Sequence, residues 1–363
     1  MGNSTMKNNK LNFNGQKIFV GIDVHKKSWV VKILINGIIV KGMRINPDPQ
    51  LLYDYLTREY PGGEYYSAYE AGFSGFRAHR KLIELGINNI VVNPSEVPTR
   101  GKERQRKSDV IDAGKLAREL SNGSLEGIYI PSKQQEALRA LVRLRKQLSK
   151  DQARQKNRIK SLLNFIGKNA AAGEQGDTRS WTKRYIISLR ALEIKQPEIK
   201  RTLDELLNGL EYTREQIKAV LEDIRNYVYK SDESREIIEL LLSVPGVGFI
   251  TAVVLYTEIM DIRRFKDIDA LASYVGLSPA VYSSGEREKT LGISRQRNGH
   301  LRNILIESAW TAIRKDKALL VAYGKMSSKL GTKRAIIKIS RKLLNRIRHV
   351  WMYRERYVLE VVD

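Results

Sequence analysis

Four acidic residues lie where the chain is predicted to leave a strand or enter a helix. Asp23 ends the predicted first strand in FVGIDVHK, Glu70 ends the strand in YSAYEAG, and KSDVIDAGKLA carries Asp109 and Asp112. Their three-residue spacing puts the last two on one face of a helix. Hard divalent cations prefer carboxylate oxygens, and two such cations can hold the attacking and leaving oxygens of a phosphodiester. These residue types indicate metal-dependent phosphoryl transfer.

Each of these acids also has an ordinary structural explanation. An Asp that follows a strand commonly occupies a turn, and acids in the first turn of a helix stabilise it by capping and by their charge. The coincidence of all four acids with the predicted order of strands and helices favours a metal site. The residues alone leave both interpretations open.

A serine pair is the second candidate for chemistry. The stretch VYSSGEREKT (281–290) carries Ser283, Ser284 and Gly285. Taken alone it predicts a surface turn, because Ser-Gly pairs usually mark loops. It is not a hydrolase nucleophile elbow, since the Gly-x-Ser-x-Gly pattern is absent there. His300 is the only histidine nearby.

Cations follow the serine pair in the stretch GISRQRNGHLR. Arg295, Arg297 and Arg302 are suited to binding a phosphate or stabilising charge on it. A serine that attacks phosphorus needs such cations and an in-line geometry more than it needs an acyl-transfer triad. Phosphorus chemistry at the serine pair is therefore compatible with the absence of a partner histidine.

A Pro-Gly-Val-Gly turn is the third candidate. In SVPGVGFITA (243–252), predicted helices flank Gly246 and Gly248. In a helix-hairpin-helix such glycines let backbone N–H groups approach a DNA phosphate. A purely structural hairpin explains the stretch equally well. The surrounding apolar run 240–256 is divided by Pro245 and the glycines into helices too short to cross a bilayer.

The acids require a mixed sheet to bring them together. Residues 17–45 are rich in β-branched residues and predict three strands joined by turns. The elements predicted after them are helix 49–59, strand 66–71, helix 74–85, strand 89–93 and helix 108–121. Three antiparallel strands followed by alternating helix and strand is the order of an RNase H-like α/β fold.

The rest of the chain is predicted to be mainly helical. An amphipathic cationic helix begins near 132, residues 168–180 suggest a loop, and a second long helix spans 197–229. The two long helices could form an antiparallel coiled coil, support dimerisation or belong to a simple bundle. A basic amphipathic helix covers 333–353. We therefore predict four regions: a flexible N-terminus at 1–15, an RNase H-like domain at 16–130, a helical coiled-coil or linker region at 131–232, and a mostly α-helical domain at 233–363.

Charge and composition restrict the partners. The chain has 64 Lys and Arg against 40 Asp and Glu, a net charge of +24, which fits a polyanionic partner. Nucleic acid is the leading class, and an anionic membrane surface is the alternative. The chain has no cysteine, which excludes disulfides and thiolate metal sites and suits a reducing cytoplasm. The first residues lack the apolar core of a signal peptide, so we expect a cytoplasmic protein.

The motifs together resemble one family. GIDVHK, YEAG and KSDVIDAGKLA are similar to the acidic motifs of the DEDD transposases of the insertion-sequence-110 family, also called bridge recombinases. VPGVGFITA, FKDIDALASYVGLSP, SSG, ISRQRNGHLR and RKLLNRIRHVW resemble its C-terminal transposase domain in the same order. The similarity spans about 17–353. One departure is Arg297, which stands where the family commonly has glycine, with Asn298 matching.

The resemblance implies a specific chemistry. The N-terminal domain would be resolvase-like and bind Mg²⁺ through its acidic tetrad, which comprises Asp23, Glu70, Asp109 and Asp112. The C-terminal domain would supply the nucleophile, which the Ser-Gly motif places at Ser284, and attack would form a covalent phosphoserine link to DNA. The resemblance further implies a homodimer or homotetramer, in which one protomer's acids face another's serine. A structured noncoding bridge RNA would select the donor and target DNA.

Two other functions remain open. A metal-dependent junction nuclease would use the acids alone to hydrolyse phosphodiesters, with the serine structural. A non-enzymatic nucleic-acid-binding protein would use only the basic helices and the hairpin, and its binding would be salt-sensitive. Four acids are hard to explain in a pure binder, because they would repel phosphate unless metal intervened. The recombinase interpretation ranks first and the nuclease second.

Overall fold

The chain forms two compact units, one ending at Ile130 and the other beginning at Pro131. The computed structural model describes residues 12–98, 108–168, 181–284, 287–293 and 298–359, with only the backbone of 279–284 and 287–293. The predicted further divisions, at 15/16 and at 232/233, stay predictions. Across the described residues, no helix combines the length and the apolar character that a bilayer span requires.

A five-stranded mixed sheet forms the centre of the first unit. Its strands are β1 (Lys17–Val24), β2 (Trp29–Ile35), β3 (Ile38–Ile45), β4 (Glu64–Glu70) and β5 (Asn88–Val92). They are ordered β3-β2-β1-β4-β5. The first three pair antiparallel, whereas β4 is parallel to β1 and β5 is parallel to β4. This confirms the predicted mixed α/β sheet.

Three helices cover the sheet. They are α1 (Pro49–Glu59), α2 (Arg77–Glu84) and α3 (Asp109–Ser121). Alternate residues of β1, including Ile18 and Val20, are fully buried in one core with side chains of α1 and α2. Because side chains alternate along a strand, Gly21 and Asp23 point to the opposite face, where α3 packs.

The predicted boundaries are close to those observed, with one informative difference. The helix predicted at 74–85 begins at Arg77, because Gly75 has a positive φ of 58° that a continuing right-handed helix cannot include. The helices predicted at 49–59 and 108–121 correspond to α1 and α3. Asp48 caps α1 by accepting a hydrogen bond from the Gln50 N–H at 2.9 Å.

The second unit is mostly helical in its described residues. Its helices are α4 (Lys133–Phe165), α5 (Lys183–Arg190), α6 (Pro197–Tyr229), α7 (Asp232–Leu242), α8 (Phe249–Ile259), α9 (Ile268–Val275), α10 (Gly299–Lys315), α11 (Lys317–Leu330) and α12 (Thr332–Tyr353). The predicted long helix at 197–229 is confirmed by α6. Apart from its first residue, the predicted loop at 168–180 lies outside the described residues.

Helices α4 and α6 form an antiparallel pair. Each has 33 residues and is therefore about 50 Å long. Near one end the Tyr227 hydroxyl donates to the Gln134 carbonyl at 2.8 Å, and further along Gly209 faces Gln155. One end of the pair joins a large core with α7–α12, and the other forms a separate core with α5.

The serine stretch belongs mainly to a hairpin rather than to a turn. Strands β6 (Pro279–Ser284) and β7 (Arg287–Ile293) pair antiparallel, so that Ser283 lies opposite Glu288 and Ser284 opposite Arg287. The prediction of a surface turn over 281–290 was therefore wrong for most of the stretch. Aromatic and β-branched residues such as Tyr282 and Thr290 favour strands. Gly285 lies outside the described residues.

Candidate metal centre and nucleic-acid surfaces

Close packing of α3 on β1 positions two of the predicted acids. A Cβ atom on Gly21 would overlap the carbonyl oxygen of Ala113, so the helix backbone lies directly against the strand. Ser108 caps α3 by accepting from the Ile111 N–H, which starts the helix immediately before Asp109. Asp109 and Asp112 therefore occupy the first turn of a helix whose position on β1 is fixed.

Asp23 and Asp109 meet at the end of β1, together with a histidine. The Asp23 Oδ2 lies 3.1 Å from the His25 Nε2, and this nitrogen lies 3.6 Å from the Asp109 Oδ2. One ligand atom from each of the three residues falls within 4.8 Å of the others. The Arg44 Nη2 approaches the Asp109 Oδ2 at 3.9 Å. The structure thus brings two of the four predicted acids into one potential metal centre.

His25 is a member of this cluster that the sequence analysis did not assign. It follows Asp23 by two residues in GIDVHK, beyond the last residue of β1. Residues two apart in an extended segment point to the same side. That spacing was the available signal, and imidazole nitrogen beside carboxylate oxygen is a common ligand combination for divalent metals.

Asp112 and Glu70 lie outside this group of three. Asp112 is nevertheless close enough for its charge to raise the pKa of Asp23. Glu70 ends β4, and the parallel register that pairs Ile22 with Tyr69 puts Glu70 next to Asp23 at the ends of adjacent strands. All four predicted acids therefore belong to the first unit, at or near the end of β1.

The electrostatics of Asp23 suit a bound cation. Burial raises the pKa of the Asp23 carboxyl, His25 lowers it, and the negative charges of Asp109 and Asp112 raise it further, with a net upward shift. The half-buried carboxylate of Asp23 is thus partly desolvated and lies near two other acids. A divalent cation would offset both effects, and the carboxylates of Asp23 and Asp109 supply the oxygen ligands that such a cation prefers. These residues fit a divalent metal ion.

The cations predicted to follow the serine hairpin are only partly described. Arg302 lies in the first turn of α10, whereas Arg295 and Arg297 lie outside the described residues. Asn298, which directly precedes α10, caps it by accepting from the N–H groups of His300 and Leu301, both at 3.2 Å. The start of α10 is thereby fixed at Asn298.

A buried glutamate holds this helix start against α4. Glu258 on α8 is 2% exposed. Its Oε2 accepts from Arg139 at 2.8 Å and from the Asn298 Nδ2 at 3.2 Å, and its Oε1 accepts from Arg143 at 3.1 Å. Burial raises the pKa of Glu258, but the hydrogen bonds and charges of Arg143 and Arg139 outweigh this and lower it overall.

His300 lies in the same cationic region. Its Nε2 is buried and has no hydrogen-bond partner among the described residues. Burial lowers the pKa of His300, and the charges of Lys146 and Arg143 lower it further, against an opposing effect of Glu258. A neutral imidazole is therefore the favoured state beside these cations.

The two glycines of the predicted helix-hairpin-helix differ in their surroundings. Gly246 has a φ of +88°, and a Cβ atom there would overlap the carbonyl oxygen of Ser308 on α10. Turn geometry and helix packing together explain this glycine. Gly248 is exposed, directly precedes α8, and has open space where a Cβ would lie. Its N–H remains the better candidate for a phosphate contact.

A cationic groove lies along α12. It has a volume of about 560 Å³ and is lined by Ile268, Met326, Lys338, Arg341, Lys342, Asn345 and Arg346. Arg341 pairs with Asp269, and Arg346 pairs with the buried Asp316. Lys338 and Lys342 are exposed on the same side of the helix. The groove therefore offers an apolar base and a positive rim, which suits a phosphodiester backbone.

Comparison with known proteins gives consistent results for both units. A family model for the DEDD transposase of IS110 type, described as "Transposase", matches residues 20–167. A second model, described as "Transposase IS116/IS110/IS902 family", matches residues 238–324. The two matches cover the acidic cluster and the hairpin that carries the serine pair.

Curated relatives carry similar descriptions. The "Putative transposase y4rJ" of Sinorhizobium fredii is 31% identical over 76% of this chain and 74% of its own length. The "Putative transposase y4qE" of the same organism is 30% identical over 68% of this chain, but the match spans only 58% of y4qE. The "Transposase for insertion sequence element IS1533" of Leptospira borgpetersenii is 25% identical over 81% of this chain and 85% of its own length.

Proposed function

The chain belongs to the IS116/IS110/IS902 family of transposases, and from this premise we propose that it cuts and rejoins DNA strands with a divalent metal ion and a serine nucleophile. The observation that carries the proposal is the cluster of Asp23, His25 and Asp109, whose ligand atoms lie within 4.8 Å of one another. The strand order β3-β2-β1-β4-β5 supports the RNase H-like assignment of residues 16–130. The helical second unit supports a C-terminal transposase domain.

The acidic tetrad of Asp23, Glu70, Asp109 and Asp112 would hold the metal, for which Mg²⁺ is our proposal. When bound, the ion neutralises charge on the phosphodiester and orients its oxygens for in-line displacement. The role of α3 is to keep Asp109 beside Asp23, and that of the parallel β1–β4 pair is to keep Glu70 adjacent. His25 would orient the Asp23 carboxylate, since its Nε2 lies 3.1 Å from the Asp23 Oδ2 and, when protonated, donates a hydrogen bond to it.

Ser284 would attack the phosphorus. Its Oγ forms a bond to phosphorus, the bond between phosphorus and one ester oxygen of the DNA breaks, and that oxygen leaves as a hydroxyl after taking up a proton. The proton of the serine hydroxyl passes to solvent or to a carboxylate. A DNA hydroxyl then attacks the phosphoserine and releases the serine, which rejoins the strands without net hydrolysis. The backbone of Ser284 ends β6, opposite Arg287.

Three further parts of the proposal concern binding. Arg295, Arg297 and Arg302 would grip the phosphate, and Gly246 and Gly248 would bring backbone N–H groups to DNA in the helix-hairpin-helix. Recognition of donor and target DNA through a bridge RNA, and assembly as a homodimer or homotetramer, rest on the family resemblance. The net charge of +24 supports binding to nucleic acid in general.

Trapping a protein–DNA adduct tests the chemistry. A suicide DNA substrate carrying the element's end is incubated with the protein, its RNA and Mg²⁺, and the covalent product is resolved under denaturing conditions. We expect an adduct with the wild type and with Ser283→Ala, and none with Ser284→Ala or Asp23→Asn. If Ser284→Ala still cuts and leaves free DNA ends, the alternative metal-dependent junction nuclease is correct. If Asp23→Asn forms the adduct normally, the metal site is misassigned.

A further inference from the structure

A short loop at the acidic edge of the sheet is held rigidly by one buried tyrosine. The Tyr69 hydroxyl donates to the Gly75 carbonyl at 3.0 Å and accepts from the His79 N–H at 3.2 Å. At the start of the loop, the Ala71 N–H donates to the Val92 carbonyl at 2.8 Å. Because Tyr69 is fully buried, these bonds fix the loop between β4 and α2.

This rigid loop presents an aromatic ring to solvent. Phe73 is 63% exposed and is the most exposed aromatic side chain among the described residues of the first unit. Phe76, three residues later, packs instead against the sheet core. The Lys26 Nζ lies 5.9 Å from the centroid of the Phe73 ring, within cation–π range. One apolar ring and one cation therefore form a surface pair.

The pair lies beside the proposed metal centre. Lys26 follows Asp23 by three residues, and Phe73 follows Glu70 by three, while Asp23 and Glu70 end adjacent parallel strands. In the first turn of α3, Val110 is 46% exposed and lies between Asp109 and Asp112 in the chain. The acids are thus bordered by apolar and cationic side chains, the combination that matches a base attached to a phosphate.

We propose that Phe73 stacks on an unpaired DNA base next to the phosphodiester that is cut, with Lys26 contacting the adjoining backbone phosphate. The proposal rests on the proposed DNA-cutting function and adds a binding site for the nucleotide beside the reacting one. Every base has a π face, so the contact would tolerate any sequence. A base inside a duplex has both faces covered by its neighbours, and the ring therefore selects a strand that has been opened.

Removing the base tests the contact directly. Cleavage of DNA substrates is compared for the wild type and Phe73→Ala, with a single abasic residue placed in turn at each nucleotide flanking the cut. On intact DNA, we expect Phe73→Ala to cut about 10- to 100-fold more slowly, the range expected for loss of one stacked base. At one abasic position, the wild type should cut more slowly than it cuts intact DNA, by a similar factor. Phe73→Ala should cut this abasic DNA no more slowly than it cuts intact DNA. Phe73→Trp should restore cleavage of intact DNA.

A matched control and a second readout separate the possible failures. Tyr212→Ala removes a ring that is 65% exposed on α6, and we expect it to leave cleavage unchanged. A 2-aminopurine at the stacked position should differ in fluorescence between the wild-type and Phe73→Ala complexes. If every abasic substrate slows both proteins by equal factors, or if the fluorescence is the same, the stacking proposal is wrong. Normal cleavage by Asp23→Asn would instead overturn the proposed function.

Discussion

Gly21 of β1 lies so close to Ala113 of α3 that any side chain at position 21 would overlap the Ala113 carbonyl oxygen. Asp23 follows on the same face of the strand, and Asp109 precedes Ala113 by one helical turn. The contact between glycine and helix backbone therefore determines how near the two carboxylates lie. It connects the packing of the sheet with the geometry of the proposed metal centre.

Gly21→Ala should damage both stability and metal binding. The obstacle is backbone, which cannot rotate away, so α3 must shift and carry Asp109 from Asp23. We expect the free energy of unfolding to fall by about 2–3 kcal/mol, as for strong overpacking of a core. Metal affinity should fall as well. Chemical denaturation and titration with Mg²⁺ or Mn²⁺ measure the two effects.

Gly114→Ala is the matched control, at the residue of α3 that follows Ala113. Its added Cβ would lie 3.5 Å from the Ile39 Cδ1, an ordinary van der Waals contact. Alanine also favours helix over glycine by about 0.5–1 kcal/mol. We expect equal or higher stability and unchanged metal binding. A Gly21→Ala protein that behaves like this control would contradict the positioning role of the contact.

The Asp23→Asn substitution should raise the melting temperature without metal and lower it, relative to the wild type, when metal is present. The raised pKa of Asp23 means that the folded state binds its proton more tightly than the unfolded state, so ionisation of Asp23 destabilises the fold as pH rises above its ordinary value of 3.8. Without metal at pH 7, the asparagine variant should unfold at a higher temperature than the wild type.

With metal present the order should invert. A ligand at 100 times its Kd adds about 2.7 kcal/mol to the folded state that binds it, and the wild type alone should gain this. Thermal unfolding of both proteins in EDTA and in a series of Mg²⁺ concentrations provides the measurement. An equal metal-dependent rise in the two melting temperatures would show that Asp23 is not a ligand.

The sequence was most informative where local pattern and fold agree. The β-branched runs of residues 17–45 and the alternation of helix and strand after them predicted the elements of the first unit closely. The same pattern predicted that the acids converge at one edge of the sheet, and the parallel register of β1 and β4 puts Asp23 and Glu70 at the ends of adjacent strands. Periodicity also predicted the long helix α6.

Contacts between distant parts of the chain could not be predicted in this way. Glu258 pairs with Arg139 across 119 residues, and no local spacing indicates such a partner. The serine stretch shows a different difficulty, because its Ser-Gly pair predicted a turn over 281–290, whereas pairing of β6 with β7 makes most of those residues strand. Local propensity is a weak prior wherever cross-strand pairing decides the structure.

The Glu258→Gln variant should have a free energy of unfolding that changes less with acidification than that of the wild type. The pKa of Glu258 in the folded protein lies below its ordinary value of 4.5. The ionised carboxyl therefore stabilises the fold fully above pH 4.5, and this stabilisation is lost as the pH falls through the lowered pKa of the folded state. At pH 7 we expect the variant to lose about 3 kcal/mol, because Arg139 and Arg143 lose their buried partner.

Denaturant unfolding between pH 7 and pH 3 provides the comparison. The difference between wild type and Glu258→Gln should shrink as the solution is acidified, since the wild-type carboxyl gradually loses its charge. Asp232→Asn, which alters an exposed acid on α7 that pairs with Arg235 at 2.9 Å, should change stability by less than about 1 kcal/mol. A Glu258→Gln difference that is constant with pH would contradict the charged network.

The groove along α12 should contribute to DNA affinity through charge alone. Lys338 and Lys342 lie on the same rim, whereas Arg341 and Arg346 are paired with Asp269 and Asp316. If each lysine contacts a phosphate, the plot of log K against log salt should be less steep for the double variant Lys338→Glu/Lys342→Glu, its negative slope being smaller in magnitude by about 2. Fluorescence anisotropy with duplexes of two unrelated sequences should show the same loss for both.

The control for this variant carries the same charge change elsewhere in the second unit. Lys183→Glu/Lys218→Glu alters exposed lysines on α5 and α6, so it matches the change in net charge without touching the groove. We expect the control to weaken binding slightly and to leave the salt slope within about 0.5 of the wild type, because distant charges release few counterions. Equal slopes for the two double variants would mean that overall charge, rather than the α12 groove, binds the DNA backbone.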